Sequence, residues 1–363
     1  MRAIRIVAIG GTRPEAIKLA PLIRAMRGRP DVEFLQVATG QHPVLFHQAL
    51  REFGIDADID LALPHDDAGR FSVEAEQRVA ALLTALRPDL VLIQGDTNSA
   101  WAAARAAHRL GLPVGHVEAG LRSGDPAMPW PEERNRREID GLSTLLFAPS
   151  AEAAANLAGH SGRVTVTGNT VIDALNMIKP SAPSQVRDAG RKLILVTAHR
   201  RETIPELPNV CRALLRLAER NDVELHFPLH PNPAVTREVT VRLGGQPRII
   251  LEPPLPYAAL IALLCRATIV LTDSGGLQEE APALGIPALI MRTITERPEV
   301  VASGNVRLVG LDPDRIVAET IRLLDASEAY AAMATAHFPY GDGDAAERII
   351  AAIDRWWATS RSG

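Results

Sequence analysis

Apolar positions along this chain switch repeatedly between two periods. Short runs of β-branched and leucine residues alternate with alanine- and leucine-rich stretches in which apolar side chains recur at helical spacing. The short runs at residues 4–9, 33–39, 90–94, 114–117 and 145–148 in the first half predict strands, as do 193–197, 224–228, 249–252, 269–272, 288–290 and 306–308 in the second. Strands alternating with helices from end to end predict parallel sheets built from βαβ units, an α/β fold. Residues 179–190 are rich in Pro, Ser and Gly and read as a linker between the halves. The expected organisation is two Rossmann-like domains facing a cleft, residues 1–178 and 179–344. The amphipathic stretch 345–357 within the terminal segment 345–363 is expected to cross back and pack on the first domain.

In open α/β sheets ligands bind beyond the carboxyl ends of the strands. Chemical residues recur at that pole here. The strand 269–272 runs into Ser274-Gly275-Gly276 and a helix opens directly behind, presenting backbone N–H groups and a positive dipole end to an anion. Glu280, one turn further, suits ribose hydroxyls, although Ser-Gly-Gly alone also suits an ordinary tight turn. Arg13 and Lys18 bracket the first turn of the first helix, where cations oppose the dipole unless an anion is present; a surface salt bridge to Glu15 is the alternative. Arg297 is a second phosphate candidate with the same alternative. Asp96, Glu118 and Glu132 form a carboxylate set whose pKa values a closed site can split, suiting proton removal and return at carbon. Glu132 with Glu133 equally suits a plain helix start. His199 heads a cationic cluster suited to a diphosphate or to proton transfer. His230 and His42 are less specific loop candidates.

With 363 residues, 47% of them hydrophobic, the chain can bury two cores. A net charge of −4 gives no reason to expect nucleic acid or a membrane as partner. The longest apolar stretch, 257–272, contains Arg266 and is too short to span a bilayer. Two cysteines, Cys211 and Cys265, lie in apolar helical patterns and make core thiols a better expectation than a disulfide, with the cytoplasm as compartment. No HExxH-type pairing supports a metal site. The run Gly10-Gly11-Thr12-Arg13 lacks G-x-G-x-x-G spacing, which disfavours a bound nicotinamide, so no cofactor is expected. The only lysines are Lys18, Lys179 and Lys192, in a chain whose other basic residues are arginines, which suggests that Lys18 is needed as a lysine.

The ordered set Gly11-Thr-Arg-Pro-Glu-Ala-Ile-Lys18, Gly95-Asp-Thr97, His116-Val-Glu-Ala-Gly-Leu-Arg122, Pro129-Trp-Pro-Glu-Glu133, Thr167-Gly-Asn-Thr-Val-Ile-Asp173, His199-Arg-Arg-Glu202 and Asp273-Ser-Gly-Gly-Leu-Gln-Glu-Glu280 covers nearly the whole chain. It closely resembles the non-hydrolysing UDP-N-acetylglucosamine 2-epimerases. The resemblance implies a GT-B-like fold with the substrate in the interdomain cleft, UDP-N-acetylglucosamine and UDP as ligands, and a homodimer. It implies inversion at C2 to UDP-N-acetylmannosamine by expulsion of UDP, with 2-acetamidoglucal held until UDP adds back, in service of cell-surface polysaccharide. It places Asp96, Glu118 and Glu132 at the acid/base positions, with His199 beside them. Arg13, Lys18, Arg136, Ser274, Gly275, Gly276, Glu280 and Arg297 fall on the substrate. Leu255 and Leu260 lie in the uracil-side loop, Leu260 where an aromatic is frequent. Gln41 and His230 match an activator site for a second substrate molecule, and Val44 and Phe71 depart from the polar residues of that site, so weaker activation is expected here. The alternatives are epimerisation of a UDP-2,3-diacetamido uronic acid, a hydrolysing epimerase, a GT-B glycosyltransferase, and a nucleotide-sugar-binding regulator. Thr12-Arg13-Pro14-Glu15, rather than Ala-Arg-Pro-Gln, favours the N-acetylglucosamine substrate over the diacetamido uronate.

Overall fold

The computed structural model describes residues 2–64, 67–180 and 190–360. Most of the expected linker, residues 181–189, lies outside the described residues. The chain divides into two compact units: Met1–Met177 with Tyr340–Gly363, and Ile178–Pro339.

Unit 1 is built on a seven-stranded sheet of β1 (Ile4–Gly10), β2 (Val32–Ala38), β3 (Ile59–Asp60), β4 (Leu90–Gln94), β5 (Val114–Val117), β6 (Leu145–Ala148) and β7 (Arg163–Val166). The order is β3-β2-β1-β4-β5-β6-β7 and every pairing is parallel. Unit 2 carries β8 (Lys192–Thr197), β9 (Val223–Pro228), β10 (Ile249–Glu252), β11 (Ile269–Thr272), β12 (Ala288–Ile290) and β13 (Val306–Leu308), ordered β10-β9-β8-β11-β12-β13 and also all parallel. Counted from the first strand of each unit, both run 3-2-1-4-5-6, the Rossmann order, with a seventh strand added at the edge of the first sheet, so the fold is GT-B-like α/β.

The central strands are buried on both faces, which is why they read as continuous apolar runs rather than alternating ones. The two strands that the hydrophobic pattern did not indicate, β3 and β7, are the edges of the first sheet. An edge strand needs apolar residues on fewer sides, and β7 is mostly exposed.

Helices fill the crossovers for local reasons. Thr97 accepts the Ala100 amide at 3.0 Å and caps helix Asn98–Arg109, whose buried face is largely alanine. Small side chains let this helix sit close over β1 and β4, where Val7, Ile9, Val91, Ile93 and Ala103 share one core cluster. In unit 2, Ile194, Val196, Leu214, Leu225, Phe227 and Leu271 form the corresponding core, with Cys211 buried inside it. Both cysteines are free, and burial pushes the Cys211 thiol up to about 11, so it is an inert core group. Helix Ala345–Ser360 belongs to unit 1: the Ala345 and Ala346 amides donate to Asp173, and Arg29 pairs with Asp354. No helix among the described residues is long and apolar enough to cross a membrane.

Candidate active site

The strand order of unit 1 reverses between β1 and β4, and the carboxyl ends of both strands carry the side chains singled out above. The chain leaves β1 through Gly11, where a Cβ would fall 2.0 Å from Thr39 Oγ1 and 2.5 Å from Ser99 Oγ; only glycine fits. Arg13 opens helix Arg13–Arg27 and is half-buried. Glu15 is fully buried. Its Oε2 accepts from the Gly11 amide (3.1 Å), the Thr12 amide (2.8 Å) and Thr12 Oγ1 (2.7 Å), and its Oε1 from Thr97 Oγ1 (2.8 Å). Burial pushes its carboxyl up to about 7, against the opposing pull of the Thr12 and Thr97 hydroxyls and the two amides. Among the described residues Glu15 forms no surface salt bridge with Arg13: it is spent on capping the helix and tying the β1 loop to the β4 loop.

Asp96 and Glu118 leave neighbouring strands side by side. Gln94 pairs with Val117 in the β4–β5 register, and the Gly95 amide donates to the Val117 carbonyl at 3.0 Å. Glu118 Oε2 takes an ion pair from buried Lys18 and hydrogen bonds from Gln94 Nε2 (3.0 Å) and Asn169 Nδ2 (2.9 Å). Its backbone has φ 72°, the left-handed region, which costs a side-chain-bearing residue about 1–2 kcal/mol. A glutamate held in a conformation that glycine adopts freely marks this position for its carboxylate.

Asp96 Oδ2 is gripped by one guanidinium, accepting from Arg136 Nε at 3.0 Å and also from Nη2. Arg136 is itself held through Nη1 by buried Glu133 Oε2 (3.0 Å), which also accepts the Ser123 amide (3.1 Å). Behind them His116 is buried with Nε2 2.8 Å from the Gly95 carbonyl and Nδ1 2.8 Å from Asp140. Burial pushes the Asp140 carboxyl up, but His116 and Arg122 outweigh it and hold it below the ordinary carboxylate value. Glu132, half-buried, opens helix Glu132–Leu142, the helix that presents Arg136. Of the adjacent pair, Glu133 is the structural anchor.

Of the activator-site candidates, Gln41 accepts from the Ser99 amide (3.0 Å) and hydroxyl (2.7 Å), Val44 is exposed, and Phe71 is core, packed with Leu63, Ala75 and Ala102.

The corresponding reversal in unit 2 lies between β8 and β11. Ser274 donates its amide to Thr272 Oγ1 at 2.9 Å and leads into Gly275, Gly276 and the short helix Leu277–Ala283. A Cβ on Gly275 would lie 3.0 Å from Arg297 Nη1 and 3.1 Å from Arg200 Nη2, so two guanidinium groups converge on this turn. Buried Arg297 donates to Glu279 (2.6 Å) and to Glu296, which also accepts from Arg292 (3.0 Å). Glu280 is buried and accepts from the Tyr257 hydroxyl at 2.7 Å. His199 stacks flat on His230, ring centroids 5.0 Å apart. The segment 255–260, read as a loop, enters helix Tyr257–Arg266 after Pro256, so Leu260 stands in a first helical turn with its side chain buried, and only Leu255 remains in the loop.

Sequence reading passed over several residues that the structure brings into these clusters. Gln94 and Asn169 hold Glu118, Arg200 covers Gly275, and Asp273 accepts the His199 and Arg200 amides. Asn169, Arg200 and Asp273 do lie in the quoted motifs, the one signal that pointed to them. Among the described residues no group of three or more His, Cys, Asp or Glu is placed to hold a metal ion.

Two Rossmann-ordered parallel sheets, each with charged side chains gathered at its switch point, place this chain among the GT-B-like α/β enzymes. The family model for UDP-N-acetylglucosamine 2-epimerase matches residues 24–354. The UDP-N-acetylglucosamine 2-epimerase of Escherichia coli is 41% identical, over 96% of this chain and 98% of its own. A crystal structure of a putative UDP-N-acetylglucosamine 2-epimerase from Listeria monocytogenes superposes with a TM-score of 0.93 at 38% identity, covering 98% of this chain and 97% of that one. The enzyme from Neisseria meningitidis, solved bound to UDP-GlcNAc, gives 0.91 at 37%, covering 98% and 100%. The chain belongs to the UDP-N-acetylglucosamine 2-epimerase family, a family of isomerases.

Proposed function

We propose that this protein interconverts UDP-N-acetylglucosamine and UDP-N-acetylmannosamine by eliminating and re-adding UDP. The C2 proton is not acidic in the ground state, because C2 is not next to a carbonyl. A carboxylate removes it as the C1–O bond breaks: the C2–H electrons become the C1=C2 double bond of 2-acetamidoglucal, and UDP departs with the C1–O pair. In the return, a UDP oxygen re-forms the bond to C1 and C2 takes a proton on its other face. Asp96, Glu118 and Glu132 do the proton work, with Lys18 and Arg136 orienting the first two carboxylates. The leaving diphosphate needs fixed positive charge where its own charge develops, and Arg297, His199, Arg13 and the Ser274-Gly275-Gly276 amides supply it. Glu280 takes the ribose hydroxyls, and the loop at Leu255 with the turn at Leu260 holds the uracil end. The product serves cell-surface polysaccharide synthesis and the enzyme works as a homodimer, both on the strength of the family resemblance.

The observation that carries this reading is the pair of carboxylates side by side at the ends of β4 and β5, each gripped by a cation through one oxygen. The test is positional isotope exchange with substrate labelled by ¹⁸O in the C1–O–P bridge. Migration of the label into the non-bridging positions of the β-phosphate is expected, since free UDP rotates before it returns. Label retained in the bridge while epimer accumulates, with no 2-acetamidoglucal or UDP released on long incubation, would exclude elimination.

A further inference from the structure

We propose that Asp273 is the positioning residue of the diphosphate end, holding His199 and Arg200 to the Gly275 turn through one carboxylate. The inference rests on the functional reading above and names a residue to which that reading gave no role.

Asp273 follows β11 directly and is fully buried. Its Oδ2 accepts two consecutive backbone amides, of His199 and of Arg200, both at 2.7 Å. Its Oδ1 makes no hydrogen bond among the described residues, although it is buried, and His199 Nδ1 lies 3.3 Å from it. A buried carboxylate oxygen without a hydrogen bond is costly, so the geometry favours an imidazole Nδ1–H turned toward Asp273. The ring thus has Nδ1 on the carboxylate side and Nε2 directed away from it, with His230 stacked on its face to hold the plane. Because the two amides belong to consecutive residues, the same carboxylate also fixes where the Arg200 side chain starts, and that guanidinium ends over Gly275 beside Arg297. Arg297 is fixed independently by Glu279 and Glu296. One arm of the cationic pair is therefore locked by its own salt bridges, whereas the other depends on Asp273. A carboxylate that orients an imidazole from behind tunes both its direction and its donor character; where the imidazole binds a metal, losing such a partner costs about 10- to 100-fold, and the lower figure is the one expected here.

The test uses Asp273→Asn, close in shape but uncharged, with Asp273→Ala as the larger change, in the full chain. Two readouts are taken. The first needs no ligand: hydrogen exchange of the His199 and Arg200 amides, expected to be strongly protected in the unsubstituted protein and at least about tenfold faster in Asp273→Ala, since a buried charge-assisted bond is lost. The second is UDP affinity by calorimetry, expected to fall by about tenfold in Asp273→Asn and by clearly less when the same change is made in His199→Ala, because only the Arg200 arm then remains to be lost and residues acting through one another are non-additive. Amides that exchange like open loop in the unsubstituted protein overturn the proposal even if neither variant folds. Wild-type affinity in Asp273→Asn, or an undiminished effect in the His199→Ala background, overturns it equally. Failure of the unsubstituted protein to bind UDP would instead count against the functional reading, and amide exchange would still decide the role of Asp273.

Discussion

Replacing Lys18 with methionine isolates the interaction on which the Glu118 assignment depends. The pair is buried from both sides, the two side chains 8% and 7% exposed, so Lys18→Met leaves a carboxylate with little access to water. Breaking such a pair by removing one partner costs about 3–5 kcal/mol. Gln94 and Asn169 still donate to Glu118 Oε2, which places the expected loss near the bottom of that range, about 3 kcal/mol. Glu118→Gln alone strands the ammonium and costs about as much, whereas the double substitution removes both charges and leaves a Gln that can still accept from its neighbours, costing about 1 kcal/mol. The coupling is then about 5 kcal/mol. All four tryptophans, Trp101, Trp130, Trp356 and Trp357, lie in unit 1, so denaturant unfolding followed by tryptophan fluorescence reports the unit that contains the pair. Turnover should fall by about 10²-fold or more in all three variants, including the one whose stability recovers, because each lacks either the carboxylate or the cation that orients it. Additivity within about 0.5 kcal/mol, or near-normal turnover in Lys18→Met, would refute the reasoning.

Three further outcomes are expected. Asp96→Asn and Glu132→Gln should each lower kcat by about 10²–10⁴-fold in steady-state assays, and unchanged kcat in both would remove them from proton transfer. Gly275→Ala should weaken UDP binding by about tenfold or more by calorimetry while the protein stays folded, since its methyl meets Arg297, which its glutamates keep from yielding, and Arg200; unaltered affinity would show that neither guanidinium serves the diphosphate. Glu15, raised from 4.5 to about 7, binds its proton more tightly folded than unfolded. Its contribution to stability is therefore present in full below about pH 4.5 and lost as pH rises through about 7, a change of about 3 kcal/mol. Denaturant titrations should show Glu15→Gln losing that slope, and identical slopes in the two proteins would contradict the burial argument.

Seven strands have the same limits in the hydrophobic pattern and in the structure; for β4, β5 and β11 the reason is that strands covered on both faces leave an apolar run with sharp ends, and the edge strands β10 and β13 are legible too because their own residues are mostly apolar. The edge strands β3 and β7 left no such trace. Loops at strand ends were legible as candidates for a site, since charged residues following apolar runs are conspicuous, but their pairings were not. Lys18 and Glu118 are 100 positions apart, and Asn169 reaches Glu118 from another 51, distances over which periodicity carries no information. Glu15 misled for a related reason: a glutamate two residues from an arginine reads as a surface pair, and only the fold shows four donors enclosing it. Both units tie their switch-point loops with a buried carboxylate, Glu15 toward Thr97 in one and Asp273 toward His199 and Arg200 in the other.

The most direct test of the central claim is proton NMR of the purified protein with UDP-N-acetylglucosamine in D₂O, following the anomeric signals and the C2 proton. The account predicts that UDP-N-acetylmannosamine appears with deuterium at C2. Product that keeps its C2 proton, or substrate left unchanged, would contradict it.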